Sequence, residues 1–149
     1  MKTFPWYQST WHTVTGMIED DRLPHALLLS GPPGMGKGQF AHALYAALLC
    51  LQPRDTLTAC GECRSCQLVH AGTHPNIFGI EPEEEGKQIR VDQIRELIAF
   101  INLKSHFEKY KVAMIRPADS MNRSAANTLL KTLEEPPADS LLLLLTHRP

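Results

Sequence analysis

The alternation of apolar and polar positions divides the chain into short elements of two kinds. Residues 8–21 have the pattern of a short helix ending near Arg22-Leu23-Pro24, and HALLLS (25–30) is an apolar run of buried-strand length. From Gln39 to Leu51, the apolar residues Phe40, Leu44, Ala47, Leu48 and Leu51 recur at the spacing of one helical face. NIFGIEP (76–82) predicts a second strand, and Val91, Ile94, Ile98 and Ile101 in VDQIRELIAFI predict a helix capped by Asp92. KVAMIR (111–116) predicts a third strand. Ala126, Leu129, Leu130 and Leu133 place a helix over 122–134, stopped by Pro136-Pro137. LLLLLT (141–146), unbroken in leucine, predicts a strand buried on both faces. Strands alternating with helices imply an α/β fold, a three-layer parallel sheet with helices on both faces and ligands at the carboxyl ends of the strands.

A polar, cysteine-rich stretch from Gln52 to His74 breaks this rhythm and has the character of an insertion. The 149 residues, 43% hydrophobic and 21% charged, are enough for one globular domain with a real core. A net charge of −1 excludes a global basic field, so any nucleic-acid contact would be a local patch. MKTFPWYQST lacks the apolar core of a signal peptide, and no apolar run reaches the ~18 residues of a membrane span, which leads to the expectation of a soluble, cytoplasmic chain. Trp6 and Trp11 are expected to anchor the first helix. The last residues, Arg148-Pro149, directly follow a core strand, so a truncated amino-terminal domain over 1–149 is expected, with an inserted module over 50–74.

Two constellations carry chemistry. GPPGMGKG, between a strand and a helix, has the glycines Gly31, Gly34 and Gly36 and the lysine Lys37 of a phosphate-binding loop, in which backbone N–H groups and the lysine surround phosphate. The next residue, where such loops carry the hydroxyl that ligates Mg²⁺, is Gly38. The loop is therefore degenerate: weak anion binding at the helix N-terminus and a merely solvated Lys37 both remain open. The four cysteines, Cys50, Cys60, Cys63 and Cys66, suit a structural tetrahedral Zn²⁺. Cys50 is the preferred fourth ligand, with His70 or His74 as the alternative if Cys50 is only a buried hydrophobe. Disulfides are a poor alternative in a reducing cytoplasm. The seven histidines are scattered, and none is assigned a catalytic role.

LPHALLLSGPPGMGKG (23–38), the cysteine set, AGTHPN (71–76) and LLKTLEEPPA (129–138) together resemble the amino-terminal AAA+ domain of bacterial clamp-loader subunits, over nearly the whole chain. That resemblance implies a P-loop NTPase-like fold, a Cys₄ zinc module, and partners that include the ATP-hydrolysing gamma/tau subunit, the delta subunit, the sliding clamp and primer-template DNA. A competent site in this family ends an apolar strand in Asp-Glu, which organise Mg²⁺ and activate water. The corresponding positions here are Arg116 and Pro117, which can do neither, although Asp119 lies two residues on. Gly38 and Arg116-Pro117 thus imply a noncatalytic member of the family rather than a gamma/tau-like ATPase. No bound ATP or Mg²⁺ is expected, nor any catalytic residue. Thr146 falls where the family carries a polar nucleotide sensor, and Asn122, Arg123 and Ser124 open a helix that in the family faces DNA, with plain helix capping as the simpler role. The family's arginine finger comes from a Ser-Arg-Cys motif absent from these residues, so finger, lid and collar are expected beyond Pro149.

Overall fold

The computed structural model describes residues 7–55, 57–103 and 110–147. In chain order the elements are α1 (Gln8–Glu19), β1 (Ala26–Ser30), α2 (Lys37–Leu49), α3 (Arg64–Ala71), β2 (Ile77–Ile80), α4 (Val91–Ile101), β3 (Lys111–Ile115), α5 (Arg123–Glu134) and β4 (Ser140–Thr146). They form two compact units, one of Met1–Pro24 with Gly36–His74 and one of His25–Met35 with Pro75–Pro149.

The second unit is built on a four-stranded parallel sheet of order β1-β4-β3-β2. β4 pairs with β1 from Ala26↔Leu142 to Ser30↔Thr146, and with β3 from Lys111↔Ser140 to Ile115↔Leu144. It is central, and its Leu141, Leu142, Leu143 and Leu145 are all buried, as an unbroken leucine strand requires. Edge strand β1 leaves Leu28 60% exposed. Ile94, Leu97 and Ile101 of α4 and Ala125 and Leu129 of α5 form one core with Ile80, Ala113, Ile115 and Leu142 of the sheet. Phe100 stacks on Phe78 of β2 at 5.3 Å between ring centroids. Lys111, buried at the start of β3, donates from Nζ to the Phe100 carbonyl at 2.7 Å, satisfying a carbonyl of the last turn of α4.

The sheet unit differs from the sequence pattern in phase. The buried stripe of α4 runs through Leu97, with Ile98 on its flank. In α5 the buried residues are Ala125 and Leu129, while Leu130 is 57% exposed. Asn122 starts this helix: its Oδ1 accepts the Ala125 N–H at 2.8 Å as the N-cap. Arg90, not Asp92, occupies the N-cap of α4, where its backbone N–H donates to Gln93 Oε1 at 3.0 Å. Asp92 lies in the first turn instead and accepts from Arg90 Nε at 3.1 Å. Both arrangements put a negative group near the helix N-terminus, which is why the sequence alone does not separate them.

In the first unit, Trp11 meets Phe40 of α2 edge-on at 5.7 Å, and Tyr7 lies 5.1 Å from the same ring, so α1 is anchored by aromatic contacts. Trp6 lies outside the described residues. α2 is buried around more of its circumference than one face, with Ala41, Ala43, Ala46 and Leu49 buried beside Phe40, Leu44, Ala47 and Leu48. It stops at Leu49, which leaves Leu51 exposed rather than in the helical stripe. The polar stretch after it contains a helix the pattern does not announce, α3, closed by Gly72 at φ +76.

Candidate functional site

The four cysteines converge. Cys50 leaves the end of α2 in an extended conformation, Cys63 caps α3 with its Sγ accepting the Cys66 N–H, and Gly61, at φ +79, turns the chain between them. All four Sγ atoms lie within 4.8 Å of one another. The Cys50–Cys63 and Cys60–Cys66 sulfurs are each 3.9 Å apart. A tetrahedron with Zn–S bonds of about 2.3 Å has S···S edges of about 3.8 Å. These two pairs therefore stand near the separation a tetrahedral zinc requires and too far apart for S–S bonds; all four thiols are free. His74 is engaged elsewhere, its Nε2 being hydrogen-bonded to Ser65 Oγ at 2.8 Å.

The surrounding backbone is arranged for negative charge on sulfur. Cys60 Sγ accepts N–H groups of Glu62 and Cys63, Cys63 Sγ those of Leu51 and Cys66, Cys50 Sγ that of Cys60, and Cys66 Sγ that of Gly61. Burial works against ionisation of Cys63, but the Leu51 and Cys66 amides bring its thiol down to about 6. The Glu62 and Cys63 amides lower Cys60 as well. Burial instead raises Cys50, and pushes Cys66 up to about 12. Four crowded thiols cannot all ionise unaided; a coordinated dication deprotonates them outright. Cys50, Cys60, Cys63 and Cys66 could hold a metal ion, and four thiolates are a donor set that suits structural zinc.

The residues of the second constellation are divided between the two units. Gly31 and Gly34 belong to the sheet unit, where the Gly31 N–H donates to the Thr146 carbonyl at 3.3 Å and Gly34 adopts φ +84. Gly36, Lys37 and Gly38 belong to the helical unit, where Gly36 at φ +86 caps α2 and Lys37 is buried. Both positive-φ positions need glycine. Arg116 follows the end of β3, and its Nη2 meets Glu81 Oε1, just past β2, at 2.6 Å. Pro117 leads into a single 3₁₀ turn, Ala118–Ser120. That turn directs Asp119 toward β4: its Oδ1 accepts the Thr146 hydroxyl at 2.9 Å and the His147 N–H at 3.4 Å. Burial opposes ionisation of Asp119, but these two donors hold its carboxyl below the usual carboxylate range. Arg123 is exposed at the start of α5, and Glu134 and Glu135 are exposed at its end. Glu83 and Glu84 are exposed as well and pair with Arg90 and Lys87.

Two pairings were not legible in the sequence, Asp119 with Thr146 and Ser65 with His74. The first spans 27 residues and the second nine, and neither follows a helical or strand period. No helix of the described residues is long and apolar enough to cross a membrane.

The described residues thus give an α/β fold on a four-stranded parallel sheet, with a glycine loop after its first strand and four clustered cysteines that could hold a metal ion. Residues 6–149 match the family model described as DNA polymerase III, delta subunit, and the chain belongs to that family. It is 47% identical over 146 residues to the DNA polymerase III subunit delta' of Pseudomonas aeruginosa, covering 98% of this chain and 43% of that protein. To the delta' subunit of Escherichia coli it is 38% identical, over 100% of this chain and 44% of that one. To the tau/gamma subunit of Haemophilus influenzae it is 34% identical, over 99% of this chain and 21% of that one. The chain thus spans less than half the length of these relatives. The fold is that of a DNA polymerase III gamma subunit-related protein from Thermotoga maritima, with a TM-score of 0.61 at 20% identity, over 92% of this chain and 39% of that one.

Proposed function

We propose that this chain is the AAA+ module of a delta-prime subunit, a noncatalytic, cytoplasmic component of the bacterial DNA polymerase III clamp loader. In this reading it assembles with gamma/tau and delta subunits to load the sliding clamp onto primer-template DNA during replication. Within the polymerase III holoenzyme, a nucleotidyltransferase, it supplies a scaffold rather than chemistry. Residues 1–149 are its amino-terminal three-layer domain, and residues 50–74 are a module held together by structural Zn²⁺ on Cys50, Cys60, Cys63 and Cys66.

The observation that carries the reading is Arg116. A motor subunit needs an anionic side chain there to organise Mg²⁺, and this chain places a guanidinium, paired with Glu81 at 2.6 Å. Gly38 removes the loop's own metal ligand independently. Gly31, Gly34, Gly36, Lys37 and Gly38 then form a phosphate loop that at most holds an anion without Mg²⁺. The competing reading is a gamma/tau-like ATPase drawing its carboxylate from Asp119, which does stand at the strand ends. Its Oδ1, however, is already committed to the Thr146 hydroxyl and the His147 amide.

The test is ATP hydrolysis with Mg²⁺ by the full-length, zinc-loaded protein, alone and mixed with gamma/tau and delta subunits. No turnover alone, together with incorporation into an ATPase-active, clamp-loading assembly, is expected. Turnover by the isolated subunit that disappears in Lys37→Ala would establish a motor subunit instead.

A further inference from the structure

The imidazole of His74 is only 5% exposed and Ser65 is fully buried, yet the two meet at 2.8 Å. A buried serine–histidine pair has two uses. As a nucleophile and its base it would need a path for substrate, and at 0% exposure Ser65 offers none. The remaining use is mechanical, and its location is informative. Ser65 sits in the first turn of α3, between Cys63 and Cys66. At eight residues α3 is well below the about 12–15 at which a helix becomes even marginally stable by itself. Its far end is closed by Gly72 and Thr73, whose N–H groups donate to Val69 and Leu68. His74 follows at once and returns to the first turn. The Ser65–His74 bond therefore closes a ten-residue loop around α3 and fixes the rotation of the turn that carries two of the four sulfurs.

We infer that His74, acting through Ser65, is a positioning residue for the cysteine centre: it holds α3 so that Cys63 and Cys66 present their sulfurs to zinc. The inference rests on the zinc reading of the four cysteines. Metal ligands tolerate displacements of only about 0.2 Å, so a first turn free to rotate weakens binding while all four ligands remain. Loss of an outer partner of this kind typically lowers metal affinity about 10–100-fold.

The experiment compares the full-length protein with Ser65→Ala, His74→Phe and the double variant. Zinc affinity is measured by competition with a chromophoric chelator, and the visible absorption of Co²⁺ placed in the site reports its geometry. Each single variant is expected to bind zinc about tenfold or more weakly. The double is expected to be no weaker than the worse single, because both singles remove the same Ser65–His74 bond. Cobalt bands should shift while retaining the intensity of a four-thiolate site. Unchanged zinc affinity overturns the inference, as does equal destabilisation of the zinc-bound and zinc-free forms, since a bond that merely supports the fold acts on both alike. Failure of the unmodified protein to bind zinc overturns the zinc reading itself and the inference with it, an outcome distinct from unchanged variants.

Discussion

At the scale of single residues, the strand ends carry two side-chain pairs, Arg116 with Glu81 and Asp119 with Thr146. Arg116 is held by Glu81 at 2.6 Å, and the Thr146 hydroxyl by Asp119 at 2.9 Å. The Arg116–Glu81 pair is roughly half exposed, so its contribution to stability is small, about 0–1 kcal/mol, and its meaning is chemical: residue 116 brings a guanidinium that engages the nearby Glu81 carboxylate. The Asp119 contact is directly testable. The Thr146 hydroxyl and the His147 amide hold the Asp119 carboxyl below its ordinary value in opposition to burial. Thr146→Val removes the hydroxyl, so the Asp119 titration followed by carboxyl NMR should move up toward, or past, the ordinary value. The sign for stability follows. A carboxyl depressed in the folded state stabilises the fold above its unfolded pKa, and that contribution is lost as pH falls through the folded value. The variant should therefore lose less stability than the parent on acidification through that window. An unmoved Asp119 titration would show that Thr146 does not hold it.

At the scale of elements, what could be read from sequence was whatever burial writes as a period. The four strands are apolar runs of strand length, and each lies where its run falls; β3 and β4 are buried along most of their length, which admits no polar alternation, while β1 and β2 are only partly covered. Helical phase was less legible. In NRSAANTLLKTLEEPP two stripes compete, one through Ala126 and Leu130 and one through Ala125, Leu129 and Leu133, and only packing against α4 selects the second. α3 escaped altogether, because its few apolar side chains are shared with cysteines whose spacing obeys the metal knuckle rather than a core. The signals that do mark it are end signals, Cys63 at the N-cap and Gly72 beyond the last turn. The phase assignment makes a quantitative prediction. Leu97→Ala empties a fully buried position of α4 and should cost about 2–5 kcal/mol. Leu130→Ala, at a position 57% exposed on α5, should change stability by less than about 0.5 kcal/mol. Denaturant midpoints that reversed this order would place the α5 stripe through Leu130 after all.

At the scale of the whole molecule, the sheet unit and the cysteine segment rest on different physics. The unit containing the sheet has a continuous apolar core from Ile80 through Leu142, whereas the cysteine segment of the other contributes mostly exposed polar residues around four sulfurs. A segment that buries so little apolar surface must recover its ordering entropy from another source, and in structural zinc knuckles metal coordination supplies it. Zinc removal should therefore be felt unevenly. Hydrogen exchange on the full-length protein, with and without a chelator, should show loss of protection at the N–H groups that face sulfur, those of Leu51, Cys60, Gly61, Glu62, Cys63 and Cys66, and through α3. Amides of β3 and β4, whose partners lie within the sheet, should keep theirs. Acid should act like the chelator, since protonation of the thiols competes with the metal, and release should begin at a higher pH when less zinc is present. Uniform loss of protection across β3, β4 and α3 would mean that the metal, rather than the apolar core, holds up the sheet. Unchanged protection in α3 would mean that the knuckle stands without it, and the cysteines would then need another role.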